Sequence, residues 1–269
     1  MELLVSDARL GSGSSWLLGH AVAVFTFLYL PIAVLILYSF NGEGVGGFPP
    51  HHLTLDWYRT LFADGPIWDS VLNSLQVALA AMVISLTFGV PAALALERAQ
   101  FPGKVLFRRL VLLPLILPGI ITGLSLQMLF NVMGTRFSLL TVVLGHGTAL
   151  ISVATTEVFA GLQKLDRAQE EASLDLGANY WQTFWRITVP NLKLPIIGAA
   201  LLIFTLSMDE IAVSFFLMGR NNTLPLEIWG RLRRGITPEI NAVSSIIFVF
   251  SLVAIVFWYR LRARGESTT

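Results

Sequence analysis

The sequence predicts an all-α membrane protein with six transmembrane helices. Only 13% of its 269 residues are charged, against about 25% in a soluble domain, and its mean hydropathy is +0.71. None of the apolar stretches alternates with polar residues as barrel strands do. Six stretches have the length of ~20 residues that a helix needs to cross a hydrocarbon core. They are about Trp16–Phe40, Val71–Leu96, Leu110–Met133, Ser138–Leu162, Leu194–Met218 and Ala242–Tyr259.

The first stretch is a genuine span rather than a signal peptide. It is longer than the apolar core of a signal peptide, about 7–15 residues, and no small-residue cleavage pattern follows it. It ends in Tyr38, Ser39 and Phe40, and Asn41 follows. No linker divides the rest of the chain, so we expect one polytopic bundle.

The lysines and arginines outside the spans predict the orientation, because cytoplasmic loops carry the excess of positive charge. Twelve lie on the side of the two termini and six on the other side. Three of the six are Arg231, Arg233 and Arg234 in one outer segment. The difference in positive charge between the two sides is therefore moderate. We therefore expect both termini to be cytoplasmic, together with the central polar segment (residues 163–193).

The central polar segment begins with the pattern of a short capped helix. Asp166 and Gln169 are spaced as a capping box, in which each side chain bonds to the other residue's backbone N–H. The predicted helix ends near Leu176, because Gly177 readily takes the left-handed conformation that terminates helices.

A second short helix is predicted directly after the glycine. Asn179 and Gln182 repeat the capping pattern, and the helix runs from Tyr180 to about Val189, where Pro190 closes it. The central polar segment is thus predicted to be a helix, a glycine turn and a second helix between two spans.

This arrangement has two interpretations from the residues alone. In one, it is a rigid docking element, with small residues for close approach, acceptors around them and an apolar face. In the other, it is a solvated loop whose aromatic residues lie at the lipid interface. The small residues are Ala172 and Ser173, the acceptors Glu170, Glu171 and Asp175, and the aromatic residues Trp181, Phe184 and Trp185.

The stretch "EASLDLGANYWQTFWRITVP" resembles the EAA motif of ABC importer permeases. That motif is Glu-Ala-Ala, three residues, Gly, nine residues, Ile, one residue and Leu-Pro. Ser173 replaces the second Ala, and Val189 replaces Leu. The matching positions are Glu171, Ala172, Ser173, Gly177, Ile187 and Pro190.

A second resemblance covers Phe204–Val249, which is similar to the PotC-type permease subunit of bacterial spermidine/putrescine importers. In that group a Ser-Met-Asp-Asp stretch, a Leu-Pro-x-x-Ile segment and a Ser-Pro-Glu-x-Asn-Ala segment recur. Here Glu210 replaces the second Asp and Thr237 the Ser. "YLPIAVLILYSFN" and "FPGKVLFRRLVLLPLILPGIITGLSL" are similar to the same group, so the resemblance extends over essentially the whole chain.

The resemblance implies a MetI-like type I ABC importer permease fold in a bacterial inner membrane. It implies an N-terminal helix and periplasmic segment over residues 1–68, a MetI-like domain over residues 69–262 and a short cytoplasmic tail over residues 263–269. Its implied partners are a second, different permease subunit, two ATPase subunits and a solute-binding protein on the outer face; no nucleic acid is expected. The residues implied to couple to the ATPase are Glu170, Glu171, Ala172, Ser173, Asp175, Gly177, Ile187 and Pro190.

The sequence contains no signature of an enzyme. It lacks the phosphate-binding G-x-x-x-x-G-K-[ST] loop, H-E-x-x-H and G-x-S-x-G. It has no cysteine, and His20, His51 and His52 lack acidic neighbours at ligand spacing, so we expect no metal site. We therefore expect no cofactor on this chain, with ATP and Mg²⁺ used by a separate ATPase.

A candidate substrate pathway lies in the fifth predicted span. A charge inside a span costs at least ~2.5–3 kcal/mol, so Asp209 and Glu210 should face a cavity or a partner. At least one of them lines the pathway or, alternatively, they are ion-paired or helix-packing residues. Thr205 lies one turn before Asp209 and can share its face.

Amides and prolines mark the other spans. Gln127 and Asn131, with Asn73 and Gln76, contact substrate or form interhelical hydrogen bonds, which are the more common use of such groups. His146 and Glu157 share a face of the fourth span but are too far apart to touch. In the third span Pro114, Pro118 and Gly119 should break or kink the helix.

We therefore predict a permease subunit that imports a small solute, with polyamines as the expected cargo. The same architecture also serves other solutes, such as opines, phosphonates or ferric ion. A secondary transporter would show inverted repeats and broken helices rather than a docking element. An intramembrane enzyme would need a catalytic set, which Asp209, Glu210 and His146 do not form.

Overall fold

The structure, a computed structural model, describes residues 12–42, 52–235 and 238–266. Within these ranges every regular element is helical, apart from an isolated antiparallel bridge between Asn41 and Leu53. The all-α prediction is thus confirmed. The helices are α1 (Ser12–Tyr38), α2 (Asp56–Ala63), α3 (Gly65–Arg98), α4 (Lys104–Ile116), α5 (Gly119–Val132), α6 (Leu139–Leu162), α7 (Ala168–Asp175), α8 (Tyr180–Thr183), α9 (Val189–Met208), α10 (Ala212–Leu217), α11 (Leu224–Arg234) and α12 (Pro238–Glu266), with a π-helical turn at Phe184–Thr188.

Four helical segments in the described ranges are long and apolar enough to cross a membrane: Trp16–Tyr38, Gly65–Arg98, Leu139–Leu162 and Tyr180–Met208. The pair α4 and α5 makes a fifth if it is counted as one span. Helix α12 occupies the sixth predicted stretch. The count of six spans is therefore approximate. Arg9, one of the twelve positive residues on the side of the termini, lies outside the described residues, as do His51 and Thr237.

The third predicted span is not one continuous helix, in agreement with the break or kink predicted at its start. Helices α4 and α5 meet at an angle of 107°. Leu117 is extended, with φ −75° and ψ 132°, because the ring of Pro118 disfavours a helical conformation in the residue before it. The break expected from the prolines is therefore present, and it lies at Pro118, whereas Pro114 is accommodated inside α4.

The fifth predicted span differs from the prediction. Helix α9 begins at Val189 and ends at Met208, and α10 starts only at Ala212. Pro190 does not close the preceding helix but lies in the first turn of α9. The π-helical turn explains this, because Val189 N–H bonds to Phe184 O before the chain reaches the residue that lacks a donor.

The core of the compact unit Gly65–Gly230 is the packing of α3 against α6 and α9. Small residues let the backbones approach closely, as is typical of membrane helices: a Cβ on Gly89 would clash with Ala154, and Ser85 Oγ donates to Gly147 O at 2.8 Å. Buried apolar residues fill the space on either side. They are Val77, Val142, Val213 and Leu217 in one cluster and Ala93, Val158, Leu162, Leu192 and Ala199 in another.

The second compact unit contains the described residues up to Asp64 and those from Arg231 onward. Here α12 packs against α1 and α2. Tyr58 in α2 packs near the end of α1, and its Oη lies 2.7 Å from Ser39 Oγ. Arg231 binds Asp64 through both of its terminal nitrogens, at 2.6 and 3.0 Å. Such a forked pair fixes the ends of the two segments together.

Candidate functional site

The central polar segment folds as a helix, a glycine turn and a helix, as predicted. Gly177 follows α7 with a φ of +88°, which favours glycine. Asn179 and Gln182 form the predicted capping box, with Gln182 N–H donating to Asn179 Oδ1 at 2.9 Å and Asn179 N–H to Gln182 Oε1 at 3.0 Å. Ser173 Oγ lies 3.0 Å from Thr183 Oγ1 and joins α7 to α8. The segment is therefore a folded unit.

The first predicted capping box is wrong. Asp166 Oδ1 does accept a hydrogen bond, from Ala168 N–H at 3.0 Å. Gln169 does not return to Asp166, because α7 begins late and Gln169 is only its second residue. Its Oε1 instead accepts from Asn191 Nδ2 at 3.0 Å. Gln169 therefore links α7 to the start of α9.

An exposed aromatic cluster covers the second half of the segment. Tyr180 is 82% exposed and Trp181 69%. The rings of Trp181, Phe184 and Trp185 contact one another, with centroids 5.1–5.8 Å apart. Exposed aromatic groups at this density are typical of a protein-binding surface.

The predicted coupling residues fall into an outward group and an inward group. Glu171, Ala172, Asp175, Gly177 and Pro190 are exposed. In the described part of the chain, the carboxylates of Glu171 and Asp175 have no hydrogen-bond or ion-pair partner. Ser173 and Ile187 are half-buried.

Glu170 belongs to the inward group, which sequence reasoning did not separate from Glu171. Its Oε2 lies 2.9 Å from Arg98 Nη2 at the end of α3. Its Oε1 accepts from the Thr188 hydroxyl at 2.6 Å. No local signal predicts the Arg98 contact, because the two residues lie in different helices far apart in the sequence.

A second region of interest is the helix-break site, residues 117–119 and 209–211, where the breaks in the third and fifth predicted spans meet. A Cβ on Gly119 would lie 3.3 Å from Ala212 Cβ and 3.4 Å from Glu210 Oε1. Glycine therefore allows the start of α5 to approach the carboxylate. A cavity of about 210 Å³ opens here, lined among others by Leu117, Gly119, His146 and Glu210.

Asp209 and Glu210 lie between helices rather than within one, which corrects the sequence prediction. Asp209 is exposed and follows the last residue of α9. Glu210 is half-buried, and its Oε1 accepts from Val213 N–H at 2.9 Å in the first turn of α10. An interruption frees backbone donors for a carboxylate, which an intact helix cannot supply. Glu210 Oε2 has no hydrogen bond to the described residues.

His146 holds the two sides of the second break, a role that sequence reasoning missed. The side chain is 1% exposed. Its Nδ1 lies 2.8 Å from Ser207 Oγ on α9, and its Nε2 lies 3.0 Å from Ser214 Oγ on α10. Ser207 and Ser214, seven residues apart, were the available signal.

His146 also gives the depth of the helix-break site. It follows the first residue of α6, Leu139, by seven positions and precedes the last, Leu162, by sixteen. At 1.5 Å per residue these are ~10 Å and ~24 Å along the helix axis. The helix-break site thus lies nearer the end of α6 that is remote from the central polar segment. Glu157 is exposed toward the other end of α6.

The remaining predicted pathway residues mostly bond to backbone. Gln127 Nε2 donates to Phe216 O at 3.0 Å and joins α5 to α10. Asn73 Nδ2 donates to Asn222 O at 3.0 Å. Thr205 is exposed, and its hydroxyl donates to Leu201 O at 2.9 Å. Gln127 and Asn73 thus make interhelical or helix–loop bonds, and Asn131 is exposed near the end of α5.

Comparison with known proteins identifies the family. A family model described as "Binding-protein-dependent transport system inner membrane component" matches residues 85–264. The chain belongs to this family. It is therefore a multi-pass permease component of an inner-membrane transport system, and the family is not a catalytic one. The MetI-like assignment from the sequence is confirmed.

Individual relatives of this inner-membrane component cover nearly the whole chain. It is 35% identical over 262 residues to the putrescine transport system permease protein PotI of Escherichia coli, covering 94% of this chain and 92% of PotI. It is 34% identical over 248 residues to the spermidine/putrescine transport system permease protein PotC of the same organism, covering 88% and 90%.

A solved structure supports the fold. A bacterial ABC transporter that imports the acidic polysaccharide alginate matches with a TM-score of 0.68 at 20% identity, over 98% of this chain and 99% of the other. The fold of an ABC importer permease is thus the fold of this inner-membrane component as well.

Proposed function

We propose that this chain is the permease subunit of an ATP-driven importer of polyamines, of the putrescine and spermidine class. The observation that carries the proposal is its 34–35% identity to PotI and PotC over about nine-tenths of each chain. The family match over residues 85–264 spans both the central polar segment and Asp209 and Glu210.

The helix-break site has the chemistry that a polyamine needs. A cargo with several ammonium groups loses hydration in the membrane and needs acceptors at depth. Asp209 is exposed there, and Glu210 Oε2 is available beside a cavity of about 210 Å³. The site holds few acceptors, so it would bind cargo weakly and release it. We assign the main recognition to the solute-binding protein.

We assign ATPase docking to the outward side of the central polar segment. Glu171 and Asp175 are exposed beside the aromatic cluster of Trp181, Phe184 and Trp185. Hydrophobic anchors next to unpaired carboxylates are the usual composition of a binding hot spot and its rim. ATP and Mg²⁺ would bind to the ATPase subunits, and this chain would hold no cofactor.

The family and the charge distribution support the other parts of the proposed assembly. A second permease subunit, different from this one, would complete the pathway, and a solute-binding protein would deliver cargo at the outer face. Both termini and the central polar segment would be cytoplasmic, since twelve of the eighteen lysines and arginines lie on that side.

The proposal is tested with the purified cognate binding protein and the intact importer in proteoliposomes. We expect putrescine or spermidine to raise the melting temperature of the binding protein, because a ligand that binds only the folded state stabilises it. We also expect ATP-dependent uptake of the same compound. Stabilisation by an opine, a phosphonate or ferric ion alone would contradict the polyamine assignment. Uptake without ATP would contradict the importer class.

A further inference from the structure

Two ion pairs join the end of α3 to the start of the central polar segment. In one pair α3 supplies the arginine, and in the other it supplies the glutamate. Arg98 Nη2 on α3 lies 2.9 Å from Glu170 Oε2 on α7, an ion pair by distance in which this buried nitrogen makes no hydrogen bond to the described residues. In the other direction, Arg167 Nη2 lies 2.9 Å from Glu97 Oε1 and 3.2 Å from Glu97 O. Two adjacent residues of α3 thus contact two residues near α7, each with the opposite charge.

The two pairs differ in how far water screens them. The side chains of Arg98 and Glu170 are 23% and 18% exposed, whereas Arg167 is 55% exposed. Exposed ion pairs are worth little, but removing one partner of a half-buried pair leaves a charge that water compensates only in part. The Arg98–Glu170 pair is therefore the principal contact, and the Arg167–Glu97 pair supports it.

Glu170 also reaches a third element. Its Oε1 accepts from the Thr188 hydroxyl at 2.6 Å, and Thr188 is a buried residue of the π-helical turn that leads into α9. One carboxylate therefore connects α3, α7 and the base of α9. Because α3 also packs along α6 and α9, this contact lies at the end of the main helix bundle.

We propose that Arg98 and Glu170 are positioning residues that make α3 move with α7 as one body. Glu171 faces outward for the ATPase, whereas Glu170 faces inward and carries the displacement of α7 to a helix that does not adjoin it in sequence. A hinge between α7 and the bundle of α3, α6 and α9 would let α7 move without α3. The inference rests on the proposed function, since it assumes that an ATPase moves α7.

The first test is charge reversal in the intact importer. Arg98→Glu and Glu170→Arg should each lower solute uptake per ATP hydrolysed by roughly tenfold, a coupling loss of about 1.4 kcal/mol. The double reversal restores the attraction. Its uptake per ATP hydrolysed should be at least about threefold higher than that of either single variant. Arg109→Glu is the matched control, an exposed α4 residue without a described partner, and should leave the ratio unchanged.

Two outcomes of this test would overturn the inference. One is a double variant no better than either single variant. The other is a control variant as impaired as Arg98→Glu. The measurement uses whichever solute the binding protein carries, so a failure of the polyamine proposal appears in the unmodified importer and not in this comparison.

A second test remains valid if the reversed variants do not assemble. The chain contains no cysteine, so Gln100→Cys beyond α3 and Ala168→Cys in α7 can be joined by a bifunctional maleimide in a complex with cysteine-free partner subunits. Both positions are exposed. If α3 and α7 move as one body, the linked importer should keep its ATP-driven uptake. If linking abolishes uptake and cleavage of the linker restores it, α3 and α7 separate during transport, which would refute the inference.

Discussion

His146 Nδ1 lies 2.8 Å from Ser207 Oγ, so that α6 is joined to the last turn of α9 just before the chain breaks. Through Ser214 the same imidazole also reaches α10. We predict that His146→Leu destabilises the complex, because it strands two buried hydroxyls at about 1–3 kcal/mol each. The measurement is the thermal stability of the detergent-solubilised complex, followed by uptake in proteoliposomes.

The control for this prediction removes the stranded groups. His146→Leu combined with Ser207→Ala and Ser214→Ala should be more stable than His146→Leu alone, because replacing both partners of a hydrogen bond by apolar groups can be nearly neutral. A triple variant as unstable as the single one would show that packing, not hydrogen bonding, holds the break.

Glu210 combines a structural bond with a charge, and two substitutions separate them. Glu210→Gln keeps an oxygen for Val213 N–H and should lower polyamine uptake several-fold with normal assembly. Glu210→Ala loses the cap as well and should also lose about 1 kcal/mol of stability. Uptake rates and basal ATPase activity provide the measurement.

A substitution at Asp209 removes a negative charge without removing a helix cap. Its carboxylate is exposed and has no partner among the described residues. Asp209→Asn should reduce uptake of a cationic cargo several-fold and leave thermal stability unchanged, since no native contact is lost. Failure of assembly in this variant would favour the alternative of an ion pair with another subunit.

Gly177→Val should disconnect the ATPase from the permease. The position has a φ of +88° and open space around it, so the effect of the side chain is backbone strain alone. We expect normal membrane insertion but weaker ATPase co-purification, or hydrolysis without uptake. Gly198→Val is the matched control, because Gly198 also has open space but no positive φ. Normal transport by the Gly177 variant would contradict the prediction.

The aromatic cluster should anchor the ATPase. Replacing Trp181 and Trp185 together by alanine removes two largely exposed rings, and anchors of this kind contribute about 2 kcal/mol or more each. We expect loss of ATPase co-purification after detergent extraction. Trp229→Ala, at a comparably exposed tryptophan of α11, is the control and should retain the ATPase.

Labelling of introduced cysteines tests the orientation, and the cysteine-free chain gives no background. A membrane-impermeant maleimide applied to intact spheroplasts should label Asn221→Cys and not Asp175→Cys. Inverted vesicles should give the opposite result. Both positions are exposed. Reversed labelling would show that the count of lysines and arginines predicts the wrong side.

Sequence reasoning predicted those features that depend on neighbours in the chain. The apolar stretches, the glycine turn at Gly177 and the Asn179–Gln182 box all follow from local preferences. The break at Pro118 follows from the restricted backbone before a proline. Each of these signals lies within a few residues of its effect.

The features that escaped prediction depend on contacts between distant segments. No proline or glycine next to Met208 predicts the break that follows it. The break is stabilised by His146 from another helix. Glu170 and Glu171 are alike in sequence, and only the position of Arg98 separates them. A π-helical turn instead of a stop at Pro190 likewise depends on the structure around it.

The π-helical turn makes a single rod of everything between Tyr180 and Met208. That rod is 29 residues long, or ~44 Å at 1.5 Å per residue. A tilt of about 5° at the Tyr180 end swings the far end, where Asp209 lies, by about 4 Å. Two carbon atoms in contact are about 3.5–4.0 Å apart. A long lever thus converts a slight rotation into the separation of two packed groups.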